Sequence, residues 1–313
     1  KMGNVYSQGI CFKISEVLPP GFYDEGEDVT DIIGVKKIEE YPEEQQGQAE
    51  RKNNPIKNFL FKHKATRWLG KKIFTNSKPK EKFPSFIAKT DEERVQNLPK
   101  IIADTDLWQA TEKLDGTSAT YYATKKKHFF YDKYTYHVCS RNLVVDDQSS
   151  FYWQVFNNSK IDKLLRMIMD YKDVPWACLQ GEIIGPGIQG NKYGRKDYEL
   201  YVFNLIVPDK TYPWNPQFNR RFSTTEAECF AKSYGIKWVP TVTDIMYLPD
   251  SIDEIVAMAD GKSVLCDRNR EGLVFRTLDG KRSFKAVSNK FLIELNKSED
   301  KKEAKKVKTK EAA

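Results

Sequence analysis

The chain has 313 residues, of which 40% are hydrophobic and 30% charged, and 51 Lys and Arg against 44 Asp and Glu give it a net charge of +7. This composition supports a substantial buried core and argues against disorder throughout, and no apolar run is long enough to span a membrane. The positive charge suits a polyanionic partner such as nucleic acid. Five cysteines without a CxxC pair and only three histidines argue against a zinc site or a disulfide scaffold. A reducing intracellular compartment, the cytoplasm by default, is therefore expected.

The first segment, residues 1–45, predicts part of a small β module. Alternating residues from Val5 to Phe12 indicate a strand, Leu18–Gly21 forms a turn, and a second strand-like run lies near Val29–Ile38. Two strands cannot bury an independent core, so we expect further strands from upstream. The start at Lys1 has no apolar signal segment and is typical of a sequence that begins inside a longer product.

Residues 46–82 predict a basic linker. They are rich in Glu, Gln, Lys and Asn but enclose the run Ile56–Lys64, followed by Trp68, which indicates a basic amphipathic helix. One interpretation is a solvated helix docked through its aromatic side chains. The other is a face that binds the phosphates of a duplex.

From residue 83 to 297 the sequence predicts one α+β domain of antiparallel sheets with flanking helices. The capping-box spacing Thr90–Glu93 predicts a short helix that continues through Arg94. Helices are also predicted by apolar spacing at Ile161–Ile168 and by capping boxes at Ser223–Glu226 and Ser251–Glu254. Strand-like runs lie at Trp108–Lys113, Ser118–Ala123, Tyr134–Ser140, Ala177–Ile184, Leu200–Ile206, Gly272–Thr277 and Arg282–Val287. The tail, residues 298–313, is almost wholly Lys, Glu and Ala and predicts frayed helix or disorder.

A lysine at the end of the first of these strands is the candidate nucleophile. Lys113 is followed by Asp115 and Gly116, and the glycine permits a tight turn in which the backbone can approach a phosphate. Lysine is protonated at neutral pH, with a pKa of about 10.4, so a catalytic lysine needs desolvation or a nearby cation. Alone, this short string would indicate no more than a turn with a solvated lysine.

Further motifs follow Lys113 in a fixed order. Together with Glu112–Gly116 they resemble the motifs of the covalent nucleotidyltransferases, the superfamily of ATP-dependent DNA and RNA ligases and messenger-RNA capping enzymes. The later matches are Ser140–Asn142, Gly181–Ile184, Tyr201–Asn204, Glu271–Arg276 and Ser283–Val287. Because independent matches occur in the family's order, a chance resemblance is a poor explanation.

Within that superfamily, three stretches are similar to the Deinococcus-type nick-sealing RNA ligases: Phe83–Ile87 with Thr90–Pro99, Gly185–Asn191, and Ser283–Leu292. The resemblance implies a nucleotidyltransferase domain preceded by an oligonucleotide-binding (OB) β-barrel, whose later part residues 5–41 resemble. It also implies an ATP-dependent RNA ligase that joins 3′-hydroxyl and 5′-phosphate ends at nicks in RNA duplexes, as in RNA repair. The expected partners are ATP and a nicked RNA or RNA-containing duplex, with no membrane, and the expected state is a monomer.

The resemblance also implies residue roles at the reacting phosphate. Lys113 would attack the α-phosphate of ATP to form a lysyl-AMP intermediate, and Lys285 would contact the same phosphate. Glu182 and Glu271 would hold a hydrated Mg²⁺ or Mn²⁺, and Asp115 would contact the ribose or the waters of this metal. For the two glutamates the alternative is exposed charge at strand ends.

The remaining residues implied for the site bind ATP. Phe203 would stack on adenine, with core packing as its alternative, and Arg141 would contact the ribose or the end phosphate. Glu112 and Arg94 complete the ATP-binding set; Arg94, like Gln189, is equally compatible with a structural role.

Two departures and three alternatives stay open. The fifth motif often reads Lys-x-Lys, but its second lysine is replaced by Val287, so Lys285 must act alone or with another basic residue. Asn204 replaces the usual aspartate after the aromatic, which leaves the hydrogen bonding to the base undefined. A DNA ligase, a capping guanylyltransferase or an RNA-binding protein with an inactive site are the alternative functions.

Overall fold

The computed structural model describes residues 81–211 and 219–296, all within the second of two units, Lys71–Ala313. The predicted OB-like module (residues 1–45), the predicted linker up to residue 80 and the charged tail (298–313) lie outside the described residues, and their boundaries stay predictions. No helix in the described ranges is both long and apolar enough to cross a membrane.

The larger of two sheets has six strands, including one short parallel strand at its side. Its main order is β3-β2-β4-β5-β6, with all neighbours antiparallel, and β7 adds to β5 in parallel. The strands are β2 Thr117–Lys127, β3 Asp132–Cys139, β4 Trp176–Ile184, β5 Glu199–Pro208, β6 Asn219–Arg221 and β7 Lys237–Trp238.

The smaller sheet has four antiparallel strands in the order β10-β9-β1-β8. They are β1 Trp108–Lys113, β8 Thr241–Met246, β9 Gly272–Thr277 and β10 Ser283–Val287. Since β1 ends at Lys113 and β2 of the other sheet begins at Thr117, the chain passes between the sheets through residues 114–116. The prediction of antiparallel sheets is confirmed for these residues.

The α-helices that flank the sheets include α1 Phe151–Asn157, α2 Ile161–Lys172, α3 Thr224–Ser233 and α4 Ile252–Ala259. Residues 289–296 are also helical. Short 3-10 turns occur at Val95–Asn97, Pro99–Ala103 and Gln189–Asn191. The hydroxyls of Ser223 and Ser251 accept the backbone N–H groups of Glu226 and Glu254 at 3.3 and 3.2 Å, so both serines cap their helices at the predicted positions.

Each sheet has its own core. Apolar residues of α2, among them Leu164, Leu165 and Ile168, are buried against one face of the large sheet. In the small sheet the Phe284 ring lies 5.0 Å from Trp108 and 4.9 Å from Phe275 between ring centres. These separations are typical of favourable aromatic pairs, so the stack fixes β1, β9 and β10 relative to one another.

The second face of the large sheet has a smaller cluster in which Ile87 and Phe86 pack on Tyr122 and Trp176. Only part of this face is covered by the cluster. Glu182 of β4 lies on the same face, because it pairs with Ser118, four residues before Tyr122 in β2. The exposed remainder of the face is where the candidate site residues gather.

The helix predicted from Thr90–Glu93 is wrong. Arg94 has an extended backbone, and the Thr90 hydroxyl contacts the Ser118 hydroxyl at 3.0 Å. The Glu93 carbonyl instead accepts the backbone N–H of Lys285 at 2.8 Å, beside a parallel bridge between Arg94 and Lys285. The segment is therefore held extended along the edge of β10, and this tertiary pairing overrides the local capping signal.

Candidate active site

The turn after Lys113 is pressed against β4. A Cβ atom on Gly116 would overlap the carbonyl oxygen of Ile183 and crowd the Glu182 side chain. Glycine at position 116 therefore serves close backbone approach, as the sequence suggested, although the group that it approaches here is a strand of the same protein. The approach places Lys113, at the end of β1, next to Glu182 in the other sheet.

The central interaction of the site joins Lys113 to Glu271. Lys113 pairs with Gly272 in the β1–β9 ladder, so the residue just before β9 lies beside the lysine. The distance from Lys113 Nζ to Glu271 Oε1 is 2.5 Å, and the two side chains are 26% and 18% exposed. Residues 158 positions apart in sequence thus form one partly buried ion pair.

Three carboxylates surround the amine and control its protonation. Burial disfavours the ammonium form, but the negative charges of Glu271, Glu182 and Asp115 outweigh it and raise the pKa of Lys113. The amine is therefore protonated at neutral pH and is not nucleophilic in this arrangement. A nucleophilic role requires that the carboxylates be engaged by another cation or that one of them take the proton.

Asp115 is held by a loop that sequence reasoning did not assign to the site. Its carboxylate forms an ion pair with Lys192, and its backbone N–H donates to the Tyr193 hydroxyl at 2.8 Å. The Lys192 amine also lies 4.7 Å from the centre of the Phe291 ring. The loop has left-handed backbone at Gln189, Gly190 and Asn191, in successive residues. The motif-like stretch ended at Asn191, one residue short of Lys192, so no sequence signal identified this lysine.

A second group of cations lies on the other side of Lys113. Lys285 is half-buried, and burial, together with the positive charges of Lys113 and Arg94, lowers its pKa. Arg94 is adjacent to Lys285 through the backbone bridge. Arg141 pairs with Asp91 at 2.5 Å, and both side chains are more than half exposed. The structure thus brings Lys285 and Arg94 to the site and leaves Arg141 at its edge.

Glu112 is buried on the other side of β1 from the Lys113 amine, since successive side chains of a strand point to opposite faces. Its Oε2 accepts the backbone N–H of Val264 at 2.8 Å, and burial raises the pKa of its carboxyl. Its buried Oε1 has no hydrogen-bond partner among the described residues. A buried acceptor without a partner is costly, so this oxygen would gain from a hydrogen-bond donor.

Phe203 lies at an irregularity in β5. Gln180 pairs with Asn204 and Gly181 with Val202, so Phe203 has no direct partner on β4. Its side chain is partly buried against the large core. The side-chain amide of Asn204 donates from Nδ2 to the side-chain oxygen Oε1 of Gln180 at 2.9 Å, and both residues are buried. The asparagine that stands at position 204 in place of the usual aspartate is therefore hydrogen-bonded within the protein.

The carboxylates of Asp115, Glu182 and Glu271 are all close enough to influence Lys113 electrostatically. Oxygen donors of this kind are the ligands that Mg²⁺ and Mn²⁺ prefer. Within the described residues, however, no group of three or more His, Cys, Asp or Glu side chains converges closely enough to ligate an ion directly. The donor set fits a hydrated cation held through its waters better than a cation held in a protein cage.

The chain belongs to the RNA ligase family, because the model of that family matches residues 106–287. This range includes β1, β4, β9 and β10, the strands in or beside which Lys113, Glu182, Glu271 and Lys285 lie. Among curated proteins, none matches the chain.

Solved structures of an RNA ligase from Naegleria gruberi are similar to this chain. One, with pyrophosphate, is 30% identical, with a TM-score of 0.58, and the match covers 87% of this chain and 68% of the other. A lysine-to-alanine variant with ATP and Mn is 33% identical, with a TM-score of 0.56, over 68% of this chain and 59% of the other. A ligand-free variant gives the same four values. The present chain thus spans about six tenths of the length of some of the relatives that it matches.

Replacing Gly116 with Ala should displace the turn that follows Lys113, because the new methyl group meets backbone of β4. Gly187→Ala is the matched control, since the space around Gly187 is open and only its positive φ opposes a side chain. We expect the control to lose about 1 kcal/mol and Gly116→Ala to lose more. Urea unfolding of both variants measures the difference. Equal losses would contradict the tight packing of the turn.

Proposed function

We propose that this protein is an ATP-dependent RNA ligase that carries AMP covalently on Lys113 and joins RNA 3′-hydroxyl and 5′-phosphate ends. The observation that carries the proposal is the Lys113–Glu271 ion pair, in a chain of the RNA ligase family. A partly buried lysine, surrounded by carboxylates and flanked by Lys285, has the side chains that adenylyl transfer to an amine needs.

Relatives support the assignment of the residues. Variants of the Naegleria ligase replace a lysine and an aspartate two positions apart, and a glutamate and a lysine fourteen positions apart. Lys113 and Asp115, and Glu271 and Lys285, have the same two spacings. Structures of that protein also contain ATP, AMP or pyrophosphate, the substrate and the two products of splitting ATP at its α-phosphate.

In the first step, Lys113 Nζ attacks the α-phosphorus of ATP. The N–P bond forms, the bond from the α-phosphorus to the bridging oxygen breaks, and pyrophosphate leaves. Lys113 must first lose a proton, and Glu271 Oε1, at 2.5 Å, is the acceptor in contact with it. Lys285, whose pKa is already lowered by burial and by neighbouring cations, would gain a favourable partner in the α-phosphate.

In the second step the AMP phosphorus reacts again, and in the third step the two RNA ends react with each other. An oxygen of the RNA 5′-phosphate attacks the AMP phosphorus, the N–P bond breaks, and Lys113 is restored. The 3′-hydroxyl then attacks the 5′-phosphate, a phosphodiester forms, and AMP leaves. Lys285 and Arg94, which lie next to each other near Lys113, would hold the phosphates through these exchanges.

A divalent cation fits the carboxylates of Asp115, Glu182 and Glu271 through its waters. When bound, such an ion supplies positive charge that neutralises the phosphates and favours the neutral amine. The residues of the chain would hold the ion, and engaging Glu271 and Asp115 would remove the negative charge that now keeps Lys113 protonated. Magnesium and manganese both suit this donor set.

The fifth motif has Val287 where its second lysine often stands. We assign Lys192 as the basic residue that acts together with Lys285 instead. Its amine pairs with Asp115 and also influences the Glu271 carboxylate electrostatically. Once the carboxylates of Asp115 and Glu271 are engaged by a metal ion, the partly buried ammonium group of Lys192 needs a new anionic partner. The phosphates of ATP supply one.

ATP has further candidate contacts in Phe203, Glu112 and Arg141. Phe203, free of a cross-strand partner at the irregularity of β5, would stack on adenine. The orphaned Oε1 of Glu112 is an acceptor for a ligand amino group. Arg141, at the edge of the site, is placed for the ribose or the end phosphate. Joining at nicks in duplex RNA, as in the Deinococcus-type enzymes, RNA repair and a monomeric intracellular state belong to the same proposal.

Lys113→Ala should abolish AMP labelling and RNA joining, because alanine has no amine to form the N–P bond. The assay is incubation with α-labelled ATP and Mn²⁺, a denaturing gel, and then a panel of nicked duplexes. Lys163→Ala, at an exposed position of α2, is the control and should label as the parent does. Label that maps to a lysine other than Lys113 would disprove the assignment.

Glu182→Ala and Glu271→Ala should each slow the adenylation of Lys113 more than tenfold, by about 1.4 kcal/mol or more. Glu228→Ala on α3, whose side chain pairs with Lys232, is the control. The rates are measured across a titration with Mn²⁺, after circular dichroism has shown that the variants are folded. Adenylation rates equal to the parent at every metal concentration would remove these carboxylates from the mechanism.

Lys192→Ala should raise the KM for ATP about tenfold or more, since a charge-assisted bond to phosphate contributes roughly 1.5–3 kcal/mol. Joining of RNA that already carries a 5′-adenylate should change less, because that step needs no contact to the leaving pyrophosphate. Lys196→Ala, four residues further along the loop and exposed, is the control. A variant with the parent's KM would show that Lys192 only stabilises the turn.

A further inference from the structure

The hairpin formed by β2 and β3 presents aromatic rings to solvent. Phe129 and Phe130 are 93% and 89% exposed, and Tyr131 is 62% exposed. The turn is closed by the His128 backbone N–H, which donates to the Tyr131 carbonyl at 2.9 Å, and these two rings stack at 4.9 Å. The phenylalanines therefore stand at the tip of an ordered turn. Exposed apolar clusters of this kind usually mark a binding surface.

The same hairpin contains two lysines that face each other. Lys126 and Lys133 are directly opposite in the β2–β3 ladder, and both are exposed. Like charges at opposite positions destabilise a strand pair. Neither has an ion-pair partner among the described residues, whereas Lys125 pairs with Asp170 at 2.8 Å and Lys127 with Asp173 at 3.1 Å. An anion bound between the facing lysines would relieve the repulsion.

The facing lysines lie on the catalytic face of the large sheet. Alternate residues of β2 share a face, so Lys126 lies on the same face as Ser118, which pairs with Glu182 of the candidate site. The eleven residues of β2 separate this tip from the Lys113 turn by about 35 Å. At roughly 3.4 Å per nucleotide of a stacked strand, the separation corresponds to about ten nucleotides.

We propose that the tip, defined as Lys126, Phe129, Phe130 and Lys133, binds a single-stranded arm of the RNA substrate at a distance from the reacting ends. Paired exposed lysines match phosphates, and exposed phenylalanine rings match unpaired bases, which stack on aromatic side chains. Protein interfaces favour aromatic residues as well but are depleted in lysine, so the pairing of both residue types favours a polynucleotide. The inference rests on the proposed function for the identity of the substrate, and the tip adds a site remote from adenylation.

The test measures binding of a fluorescently labelled, unstructured RNA of about 16 nucleotides to the full chain by anisotropy, across a range of salt concentrations. Phe129→Ala with Phe130→Ala should weaken binding about tenfold or more, as expected for the loss of base stacking. Lys126→Ala with Lys133→Ala should lower the slope of log affinity against log salt by about 1.4, for two lost phosphate contacts. The lysine variant should also melt no lower than the parent, since it removes a repulsion.

Matched controls replace similar residues elsewhere. The first control, Ile245→Ala with Tyr247→Ala, removes one exposed apolar side chain from β8 and one from the residue just after it. The second control, Lys100→Ala with Lys163→Ala, removes two exposed lysines. Both controls should bind RNA as the parent does. AMP labelling of Lys113 is measured in parallel and should be equal in all variants; a parent that does not label refutes the proposed function but leaves the binding result readable. Tip variants with the parent's affinity and salt slope overturn the proposal.

Discussion

A protonated lysine is tolerated at the junction of the two sheets because a carboxylate from another strand lies against it. The β1–β9 register sets Lys113 opposite Gly272. Glu271, the residue before Gly272, therefore lies beside the lysine, with its Oε1 2.5 Å from Lys113 Nζ. A partly buried charge without its partner would cost several kcal/mol, so the ion pair and the register reinforce each other. Gly116 and Gly272 permit the close backbone approach on which both depend.

The site is built as alternating charges around this pair. Asp115 and Glu182 add negative charge beside the amine, and Lys192, Lys285 and Arg94 add positive charge around the carboxylates. Among the described residues, Lys113 is thus paired with Glu271 and Asp115 with Lys192, and the surrounding carboxylates keep the Lys113 amine protonated. In the proposed reaction, substrate phosphates and a hydrated cation would take over partners of these groups, and their binding would favour the neutral amine of Lys113.

The large sheet connects this chemistry to a surface far from it. Strand β2 begins beside the catalytic turn and ends in the exposed hairpin tip, and the same face of the strand carries Ser118 near Glu182 and Lys126 near the tip. The opposite face is buried against α2, with Lys125 paired to Asp170. Strand β2 thus has one face packed against the core and, toward the tip, one face exposed to solvent, as is common in antiparallel sheets.

The sequence by itself determined several strands and helix caps, and it marked Lys113 and Glu271, beside strand ends, as candidate site residues. Strand-like runs predicted β1 and β9 with the observed bounds, and the serine caps of α3 and α4 formed as predicted, because these signals are local. The short α1, with its aromatic run, gave no such periodic signal.

Only the tertiary structure decided which segments meet. It straightened the predicted helix at Thr90–Glu93 through pairing with β10, brought Lys192 to Asp115 across 77 positions, and set Lys126 against Lys133. Side-chain periodicity records which face of an element is buried, but it does not record the partner that buries or neutralises it. Long-range pairing therefore had to be seen in the folded chain.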